Sequence, residues 1–230
     1  MLEVTFLTTA PALIESYFSF GIAAALIKNN KVTVKITNLR DYAVDKHGTI
    51  DDKPYGGGDG MVFRVEPLMQ ALKECPKDAR VILPTPRGKV WSQATAHTFL
   101  IDTRPIVFVC PRFAGVDERF IDMVKPEEIC LGDFVFSCGE LGALMVLDSA
   151  MRFVHGSMTN SESAVEESFS DRMHGLLEYP VYTRPPEYEG RHVPDVLLSG
   201  DQARIREWRQ AQSVRITELK RPDLIKDDKK

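Results

Sequence analysis

The chain has 230 residues, of which 43% are hydrophobic and 27% charged, an ordinary globular balance that can form one large domain or two small ones. Its net charge of −4 gives no overall sign of a nucleic-acid binder, so RNA or DNA binding would depend on a local basic patch. The spacing of the four cysteines argues against a disulfide framework or a structural zinc site. Neither a signal peptide nor an apolar run of membrane-spanning length is apparent, so we expect a cytoplasmic protein without a membrane partner.

The first sixty residues predict a strand, a helix, a second strand and a loop. Residues 4–7 indicate a short strand, and residues 11–27 indicate a helix with a proline in its first turn. Residues 32–36 alternate between apolar and polar side chains, which is typical of a strand. Residues 41–60 are polar and rich in glycine and are therefore predicted to form a loop.

The middle of the chain repeats a strand-then-turn pattern three times. The predicted strands are 80–83, 106–110 and 129–131, and turns containing Gly or Pro follow them at 84–88, 111–115 and 132–139. The clearest helix is predicted at 140–154. Short apolar strands alternating with helices predict an α/β fold with a parallel sheet. Ligands of such sheets bind at the carboxyl ends of strands, where these turns fall.

The composition changes after residue 155. Residues 156–170 contain five serines and few apolar side chains, which indicates a flexible linker or lid. Residues 171–230 indicate a small helical second domain, whose clearest helix spans 201–217. The apolar positions predicted for this helix are Ile205, Trp208, Val214 and Ile216. Six basic residues and two acidic residues lie between Arg204 and Arg221, so this helix carries the local basic patch.

A glycine-rich run, Gly56-Gly57-Gly58-Asp59-Gly60, is the first candidate for a functional loop. It could cradle a phosphate group, but it lacks the Lys-Ser/Thr ending of a P-loop and follows no clear strand. Glycine content alone favours an ordinary flexible surface loop. Its flanking residues belong to a longer pattern, which changes the interpretation.

The whole chain resembles the bacterial tRNA (guanine-N1)-methyltransferase family. Five segments carry the resemblance in order, namely DDKPYGGGDGM at 51–61, VDER at 116–119, LGDFVFSCGEL at 131–141, LLEYPVYTRP at 176–185, and VPDVLLSG at 193–200 followed by IREWR at 205–209. The resemblance implies an α/β fold, a SPOUT-type parallel sheet with a C-terminal trefoil knot, followed by a small helical domain. It also implies a homodimer that methylates N1 of guanosine at position 37, in the anticodon stem-loop of tRNA.

The resemblance divides the chain into three parts and implies a site for the cofactor S-adenosylmethionine. Residues 1–160 correspond to the S-adenosylmethionine-binding SPOUT domain, 161–170 to a linker or lid, and 171–230 to a helical tRNA-binding domain. The implied cofactor residues lie in the three turns described above and are Pro84, Thr85, Pro86, Cys110, Pro111, Phe113, Leu131, Gly132, Asp133, Phe134, Val135, Phe136, Cys138 and Gly139. Any one turn considered alone indicates an ordinary strand-to-helix connection, and it is the three together, within the family pattern, that favour a cofactor site.

The reaction requires a base and a group that stabilises negative charge. N1 of guanine carries a proton near neutral pH, so a base must remove it, and the charge that then develops on O6 calls for a cation or donor. By resemblance the base is Glu167, in Glu167-Ser168-Phe169, and the cation is Arg152. Taken without the family, Glu167 is an ordinary solvated acid beside Glu162 and Glu166. Arg152 is likewise a cation placed favourably near a helix C-terminus.

Several positions depart from the usual family pattern. Glu167 replaces the usual Asp, Pro111 and Ala114 replace a Gly and a Glu, and Cys138 replaces the first Gly of a pair. His155 and Ser157 also replace a Pro and a Val. These changes affect cofactor contacts and the identity of the base, but they leave every residue class that the chemistry requires.

The resemblance also implies a surface that binds tRNA. Its residues are Asp52, Tyr55, Gly57, Gly58, Arg112, Arg204 and Arg209. Trp208 either packs in the core of the small domain or stacks on RNA. Mg²⁺ is a further candidate cofactor by resemblance, although the sequence indicates no protein metal site. Two other functions remain open, a tRNA-binding SPOUT protein with impaired catalysis and a SPOUT methyltransferase that acts on another RNA position.

Overall fold

A computed structural model describes residues 1–154 and 167–225. The chain divides into two compact units, Met1–Thr159 and Asn160–Lys230, and each is described by itself. Most of the predicted linker at 161–170 lies outside the described residues, as do His155, Ser157, Glu162 and Glu166.

The first unit alternates strands and helices along the chain. Its elements are β1 (Leu2–Thr8), α1 (Pro11–Phe18), α2 (Gly21–Lys28), β2 (Val32–Asn38), a 3₁₀ turn (Leu39–Tyr42), β3 (Asp51–Asp52), β4 (Val62–Phe63), α3 (Val65–Lys73), β5 (Arg80–Val90), α4 (Gln93–Phe99), β6 (Ile106–Val109), α5 (Glu118–Val124), β7 (Glu127–Cys130) and α6 (Gly139–Met151). Five strands form a parallel sheet in the order β2-β1-β6-β5-β7. This confirms the predicted α/β class with a central parallel sheet.

Both faces of the sheet are buried, which explains why its strands are continuously apolar. Because successive side chains of a strand point to opposite faces, neighbouring residues enter different cores. Phe6 and Phe108 belong to one hydrophobic cluster, which also contains residues of α1, α2 and α6, and their rings stack at 5.3 Å. Leu7 and Val107 belong to the other cluster, beneath α3 and α5.

The single helix predicted at 11–27 is wrong, because the structure forms two helices there. Helices α1 and α2 are separate and meet at a bend of 80°. The break occurs at Phe20, whose backbone is extended, and at Gly21, whose φ of +66° favours glycine. An amphipathic pattern can continue across such a break, so periodicity alone did not detect it.

The predicted turn at 84–88 is also corrected, because it lies inside a strand. Strand β5 continues to Val90, and both Pro84 and Lys89 pair with Ile129 of β7. The residues between them therefore form a bulge. At Gly88 an added Cβ would lie 2.3 Å from the backbone nitrogen of Ile129, so only glycine fits this close crossing.

The remaining predicted elements of this unit are present in the structure, and their predicted bounds differ from the observed ones mainly at the ends. The helix predicted at 140–154 is α6, which begins one residue earlier and ends at Met151. The loop predicted at 41–60 contains strand β3, which pairs antiparallel with β4. Within the described residues no single helix is long and apolar enough to cross a membrane, and only the bent pair α1 and α2 passes that test together.

The second unit contains a short hairpin and a long helix. Its elements are β8 (Glu187–Tyr188), β9 (Arg191–His192), α7 (Asp195–Leu198), α8 (Gln202–Lys220) and a 3₁₀ turn (Pro222–Leu224). The Asp201 carboxylate caps α8 by accepting from the backbone N–H groups of Ala203 and Arg204. The helix predicted at 201–217 is therefore present and longer than expected.

Helix α8 buries hydroxyl groups where we expected only apolar side chains. Ile205 is buried as predicted, whereas Val214 is exposed, which corrects its assignment to the core. Ser213 and Thr217 are buried instead, because both hydroxyls hydrogen-bond the backbone of Leu177. Trp208 is half-buried, with its ring centroid 6.3 Å from that of Tyr182, which favours packing over a free stacking surface.

Candidate active site

A cavity of about 410 Å³ lies in the first unit, where the predicted turns come together. Its lining is Leu83, Pro84, Thr85, Pro86, Arg87, Pro111, Arg112, Phe113, Ala114, Gly115, Val116, Glu118, Ile121, Phe134, Val135, Phe136, Ser137 and Gly139. Most of these residues come from the bulge of β5, the turn after β6 and the turn after β7, and helices α5 and α6 contribute the rest. A cavity at the carboxyl side of a parallel sheet is the expected place for a ligand.

The N-terminal residues of α6 join the segment after β6 to the segment after β7. The Gly139 backbone N–H donates to the Pro111 carbonyl at 2.6 Å. A Cβ on Gly139 would lie 2.3 Å from Cδ of Pro111, so the two segments can approach this closely only with glycine here. The proline at 111 has no N–H to donate, but its carbonyl still joins the two walls.

Gly142 brings the third turn against the bulge of β5. An added Cβ at this position would lie 2.9 Å from both Phe136 and Pro84. Two glycines in the first two turns of α6 therefore set the spacing of all three walls. This is the local reason that a Gly-Glu-Leu-Gly sequence begins the helix.

Apolar side chains remain accessible around the cavity. Phe113 is 65% exposed and has a φ of +56°, a strained backbone conformation for a bulky residue. Phe134 is 52% and Val135 is 89% exposed. Exposed apolar groups around a concave site can cover the flat ring of a ligand.

Five of the predicted cofactor residues do not line the cavity, and they are Cys110, Leu131, Gly132, Asp133 and Cys138. The Cys110 thiol is completely buried, and this burial, more than the nearby Glu140, raises its pKa well above the usual value. Cys110 is therefore a neutral structural thiol, whose backbone N–H donates to Leu7. Cys138 is buried at the N-cap of α6 and makes no side-chain capping bond.

An ion pair at the cavity was not predicted from the sequence. Arg87 Nη1 lies 2.9 Å from Glu118 Oε2, and both residues line the cavity. The hydrogen bond that Arg87 donates to Glu118 is the main cause that raises the pKa of the Arg87 guanidinium. The VDER segment at 116–119 was the available signal, but it gave no indication of a partner 31 residues away.

A buried acid beneath the second turn was also not predicted. Glu140 is fully buried, and its Oε1 accepts from the Thr8 hydroxyl at 2.6 Å. The same oxygen lies 3.6 Å from Nε of Arg112, which lines the cavity. Glu140 thus links the end of β1, the start of α6 and an arginine of the proposed site.

The glycine-rich loop lies next to the second turn. It is the tip of the β3–β4 hairpin, and the Ala114 N–H donates to the Met61 carbonyl at 2.9 Å. The predicted tRNA-binding residues Asp52, Tyr55, Gly57 and Gly58 are on this hairpin, with Tyr55 fully exposed. Gly57 and Gly58 both have positive φ, which explains the glycine run as a requirement of the turn.

Metal-ligating side chains do not cluster in the part of the chain that the structure describes. There, no group of three or more His, Cys, Asp or Glu residues could hold a metal ion. All four cysteines are free and buried.

One protein family matches almost the entire chain. The sequence model of the family described as tRNA (Guanine-1)-methyltransferase TrmD matches residues 2–227. The chain belongs to this family. Among its relatives, the tRNA (guanine-N(1)-)-methyltransferase of Geotalea uraniireducens is 44% identical over 96% of this chain and 89% of its own. The enzymes of that name from Brevibacillus brevis (43% identity, 97% and 91% covered) and Bacillus subtilis (40% identity, 98% and 93% covered) are similarly close.

The two residues predicted from the sequence to act in catalysis, Arg152 and Glu167, belong to different units. Arg152 is half-buried directly after α6, and its N–H donates to the Asp148 carbonyl. Glu167 begins the described part of the second unit, and its carbonyl accepts from Ser170. The adjacent Ser168 hydroxyl accepts from the Glu178 N–H at 2.9 Å, which anchors the Glu-Ser-Phe segment within its unit.

The two arginines predicted to bind tRNA on α8 have different surroundings. Arg204 is exposed near the start of the helix. Arg209 is half-buried, and its guanidinium carbon lies 4.7 Å from the centre of the Tyr179 ring. This geometry is that of a cation–π contact, which fixes the orientation of the Arg209 side chain.

Proposed function

We propose that this protein methylates N1 of guanosine 37 in tRNA, with S-adenosylmethionine as the methyl donor. Membership of the tRNA (guanine-1)-methyltransferase family supports the reaction and the substrate. The observation that carries the proposed site is the meeting of the β5 bulge with the turns after β6 and β7 around one cavity beside the parallel sheet. The names of the relatives specify guanine N1, and position 37 within the anticodon stem-loop rests on the resemblance of the motifs.

The cavity fits S-adenosylmethionine in chemistry as well as in place. Accessible apolar side chains at Phe113, Phe134 and Val135 can cover the adenine ring, and backbone groups of the three turns can bind its edge and the amino-acid end. Bound there, S-adenosylmethionine supplies an activated methyl group on a sulfonium. Leu131, Gly132, Asp133, Cys110 and Cys138 then act by shaping the turns, since their side chains lie outside the lining.

The protein itself must position the guanine and manage a proton. We assign Glu167 as the base that takes the proton from N1, and Arg152 as the cation that stabilises negative charge on O6. Glu167 is one methylene longer than the usual Asp, so its backbone must lie correspondingly further from the guanine. Its anchored segment, held through Ser168 and Glu178, supports a defined backbone position.

We also propose the SPOUT trefoil knot and a homodimer. The knot rests on the resemblance of the motifs to the family. The homodimer is supported by Leu141 and Met145 of α6, which are 45% and 54% exposed. These residues are four apart and therefore share one helix face, which remains apolar in the isolated chain.

The second unit is proposed to bind tRNA as a small helical domain over 171–230. Arg204 and Arg209 of α8 are assigned to phosphate groups of the RNA. The β3–β4 hairpin and Arg112 are assigned to the substrate side of the first unit. No role for Mg²⁺ is included, since the reaction can be assigned to the residues above.

A transfer assay tests the reaction and the position together. The protein is mixed with tritiated S-adenosylmethionine and tRNA transcripts that carry guanosine or adenosine at position 37. We expect incorporation only into the guanosine transcript. Incorporation that ignores the exchange would contradict position 37, and its complete absence would favour a tRNA-binding protein that has lost catalysis.

The assignment of the base is tested by Glu167→Gln in the same assay. We expect a loss of turnover of at least about a hundredfold, the usual contribution of a general base, with unchanged binding of S-adenosylmethionine. Glu167→Asp should remain active, and Glu207→Gln on the exposed surface of α8 is the matched control. Full activity of Glu167→Gln would place the base elsewhere, with Glu166 the first alternative.

A further inference from the structure

The cavity of the first unit has one pair of opposite charges on its wall. Among the described residues of its lining, the charged side chains are Arg87, Arg112 and Glu118, and Glu118 is the only acid. Arg112 lies against the buried carboxylate of Glu140, with 3.6 Å between its Nε and Oε1 of that residue. Arg87 and Glu118 instead pair with each other, with 2.9 Å between Nη1 and Oε2. The cavity therefore offers a positive and a negative group side by side.

Both side chains of this pair are accessible to a ligand. The exposed fraction is 54% for the Arg87 side chain and 60% for the Glu118 side chain. An ion pair as exposed as this contributes little to the stability of a fold. Its place on the wall of a cavity gives it a different use, because a molecule bound there can reach both charged groups.

The backbone supports both members of the pair. Arg87 precedes Gly88, which packs so closely on β7 that an added Cβ would lie 2.3 Å from the backbone of that strand. Glu118 is the first residue of α5, and the N-cap Asp117 accepts from the Arg119 N–H. The two charged side chains are thus attached to a strand bulge and to a capped helix.

A second carboxylate holds Arg87 from outside the cavity. Nη2 of Arg87 lies 3.5 Å from Oε2 of Glu128 on β7, and Glu128 does not belong to the lining. A guanidinium group has several N–H donors, so two carboxylates leave donors of Arg87 for a ligand. Two acids around one arginine also leave a surplus of negative charge, which favours a ligand with a net positive charge.

We propose that Arg87 and Glu118 together bind the amino-acid end of S-adenosylmethionine, and the choice of this cofactor rests on the proposed function. Its α-carboxylate binds Arg87, and its α-ammonium group binds Glu118. Both groups are attached to one carbon atom of the ligand, so they match two protein groups that are hydrogen-bonded to each other. The four charges then alternate in sign, and the ion pair between Arg87 and Glu118 can persist. The sulfonium gives the cofactor the net positive charge that this site favours.

This arrangement distinguishes ligands by their amino-acid end. 5′-Methylthioadenosine has the adenine, the ribose and an uncharged sulfur, but neither of the two charged groups. S-adenosylhomocysteine, the product that remains after methyl transfer, has the same uncharged sulfur and both charged groups. The apolar walls of the cavity can hold either molecule, whereas Arg87 and Glu118 can contact only the second through its charges.

Calorimetric titration of the full-length protein with these two ligands tests the proposal without turnover. We expect Arg87→Gln to weaken binding of S-adenosylhomocysteine by about tenfold, the low end for a hydrogen bond between charged groups, because the pair is half exposed. Binding of 5′-methylthioadenosine should not change. Arg104→Gln is the matched control, since Arg104 is 53% exposed, pairs with Asp102 and does not line the cavity. It should leave both affinities unchanged.

A third ligand assigns one charge to each residue. Decarboxylated S-adenosylmethionine keeps the amino group and lacks the carboxylate. Glu118→Gln should weaken its binding by about tenfold, whereas Arg87→Gln should not weaken it. Glu118→Gln should also weaken binding of S-adenosylhomocysteine and leave that of 5′-methylthioadenosine unchanged. Both glutamine variants keep the length of the side chain or nearly so, and circular dichroism checks that they are folded.

Three results would overturn the proposal. Wild-type affinity of both variants for S-adenosylhomocysteine would place the amino-acid end elsewhere, and an equal loss of affinity for 5′-methylthioadenosine would show that the pair only shapes the cavity. Weakened binding of tRNA with normal binding of all three ligands would assign Arg87 to the RNA. Failure of the proposed function is distinguishable from these results. The wild-type protein would then bind S-adenosylhomocysteine without methylating tRNA, and the calorimetric differences between the variants would persist.

Discussion

At the scale of single residues, Glu140 carries the least expected energetic role. Its carboxylate is fully buried, with one oxygen bonded to Thr8 and near Arg112. Its other oxygen has no hydrogen-bond partner among the described residues. The Thr8 hydroxyl also accepts from the Ala10 N–H at 2.9 Å, so both its donor and its acceptor are used. Removing Glu140 would take away the acceptor of the Thr8 hydroxyl and the carboxylate that lies near Arg112.

We therefore expect Glu140→Ala to lower the free energy of unfolding by about 3 kcal/mol, the low end for a broken buried pair, because Arg112 is partly exposed. Urea denaturation measures this loss. Glu118→Ala breaks the ion pair with Arg87 at the surface and should change stability little, since exposed pairs contribute weakly. Equal effects of the two substitutions would show that Glu140 is not an energetic anchor.

The distance along the chain between interacting residues explains which predictions from the sequence were confirmed. The buried strands were recognised because apolar runs and their turns are local signals. The pairing of Glu140 with Thr8 was not, because the two residues are 132 positions apart and only the fold brings them together. The hydroxyl-rich face of α8 was missed for the same reason, since Ser213 is buried by a distant backbone group at Leu177.

At the scale of elements, α6 organises the proposed cofactor site. Its first residue, Gly139, contacts Pro111 of the second turn, and Gly142 contacts Phe136 and Pro84 of the other two. The N-terminal end of α6 therefore contacts all three segments that line the cavity. The sequence predicted the helix and the three segments that line the cavity, one of them wrongly as a turn, but their convergence depends on two glycines whose role is visible only in the packed structure.

Gly139→Ala is predicted to separate these walls. The added methyl group collides with backbone and ring atoms of Pro111, and overpacking of this kind costs typically about 1–3 kcal/mol. We expect reduced stability in urea denaturation and weakened S-adenosylmethionine binding in calorimetry.

The control for Gly139→Ala is Gly48→Ala, whose added Cβ meets nothing within 4 Å. Its φ of +75° means that it measures the cost of losing a glycine conformation without a collision. We expect this variant to bind S-adenosylmethionine normally. Normal cofactor binding by Gly139→Ala as well would contradict the proposed role of α6.

At the scale of the whole molecule, the exposed apolar face of α6 bears on assembly. Leu141 lies between the two glycines that shape the cavity and Met145 lies one turn later, so a partner bound there would lie close to the proposed site. The proposed homodimer thus links association to cofactor binding through one helix. In a monomer, the apolar side chains of Leu141 and Met145 would remain exposed to solvent.

Met145→Glu tests that face. A glutamate buried in the interface without a partner should weaken the dimer by about 3 kcal/mol, on the order of a hundredfold in its dissociation constant. Sedimentation over a range of concentrations measures the change. Met123→Glu on α5 is the matched control, because Met123 is similarly exposed at 64% and lies on another helix. A wild-type monomer, or equal dimerisation of both variants, would reject this interface.

The sequence by itself determined the α/β class, the turns after β6 and β7, and the family. Strand patterns and turn residues act locally, and the ordered motifs match a family over residues 2–227. The tertiary structure decided the rest. It separated α1 from α2, placed the turn at 84–88 within a strand, and paired Glu140 with Thr8. Each of these features depends on contacts between residues that are distant in the chain. Close packing of backbones and the burial of a charged side chain decide the structure there, and the local sequence pattern does not record them.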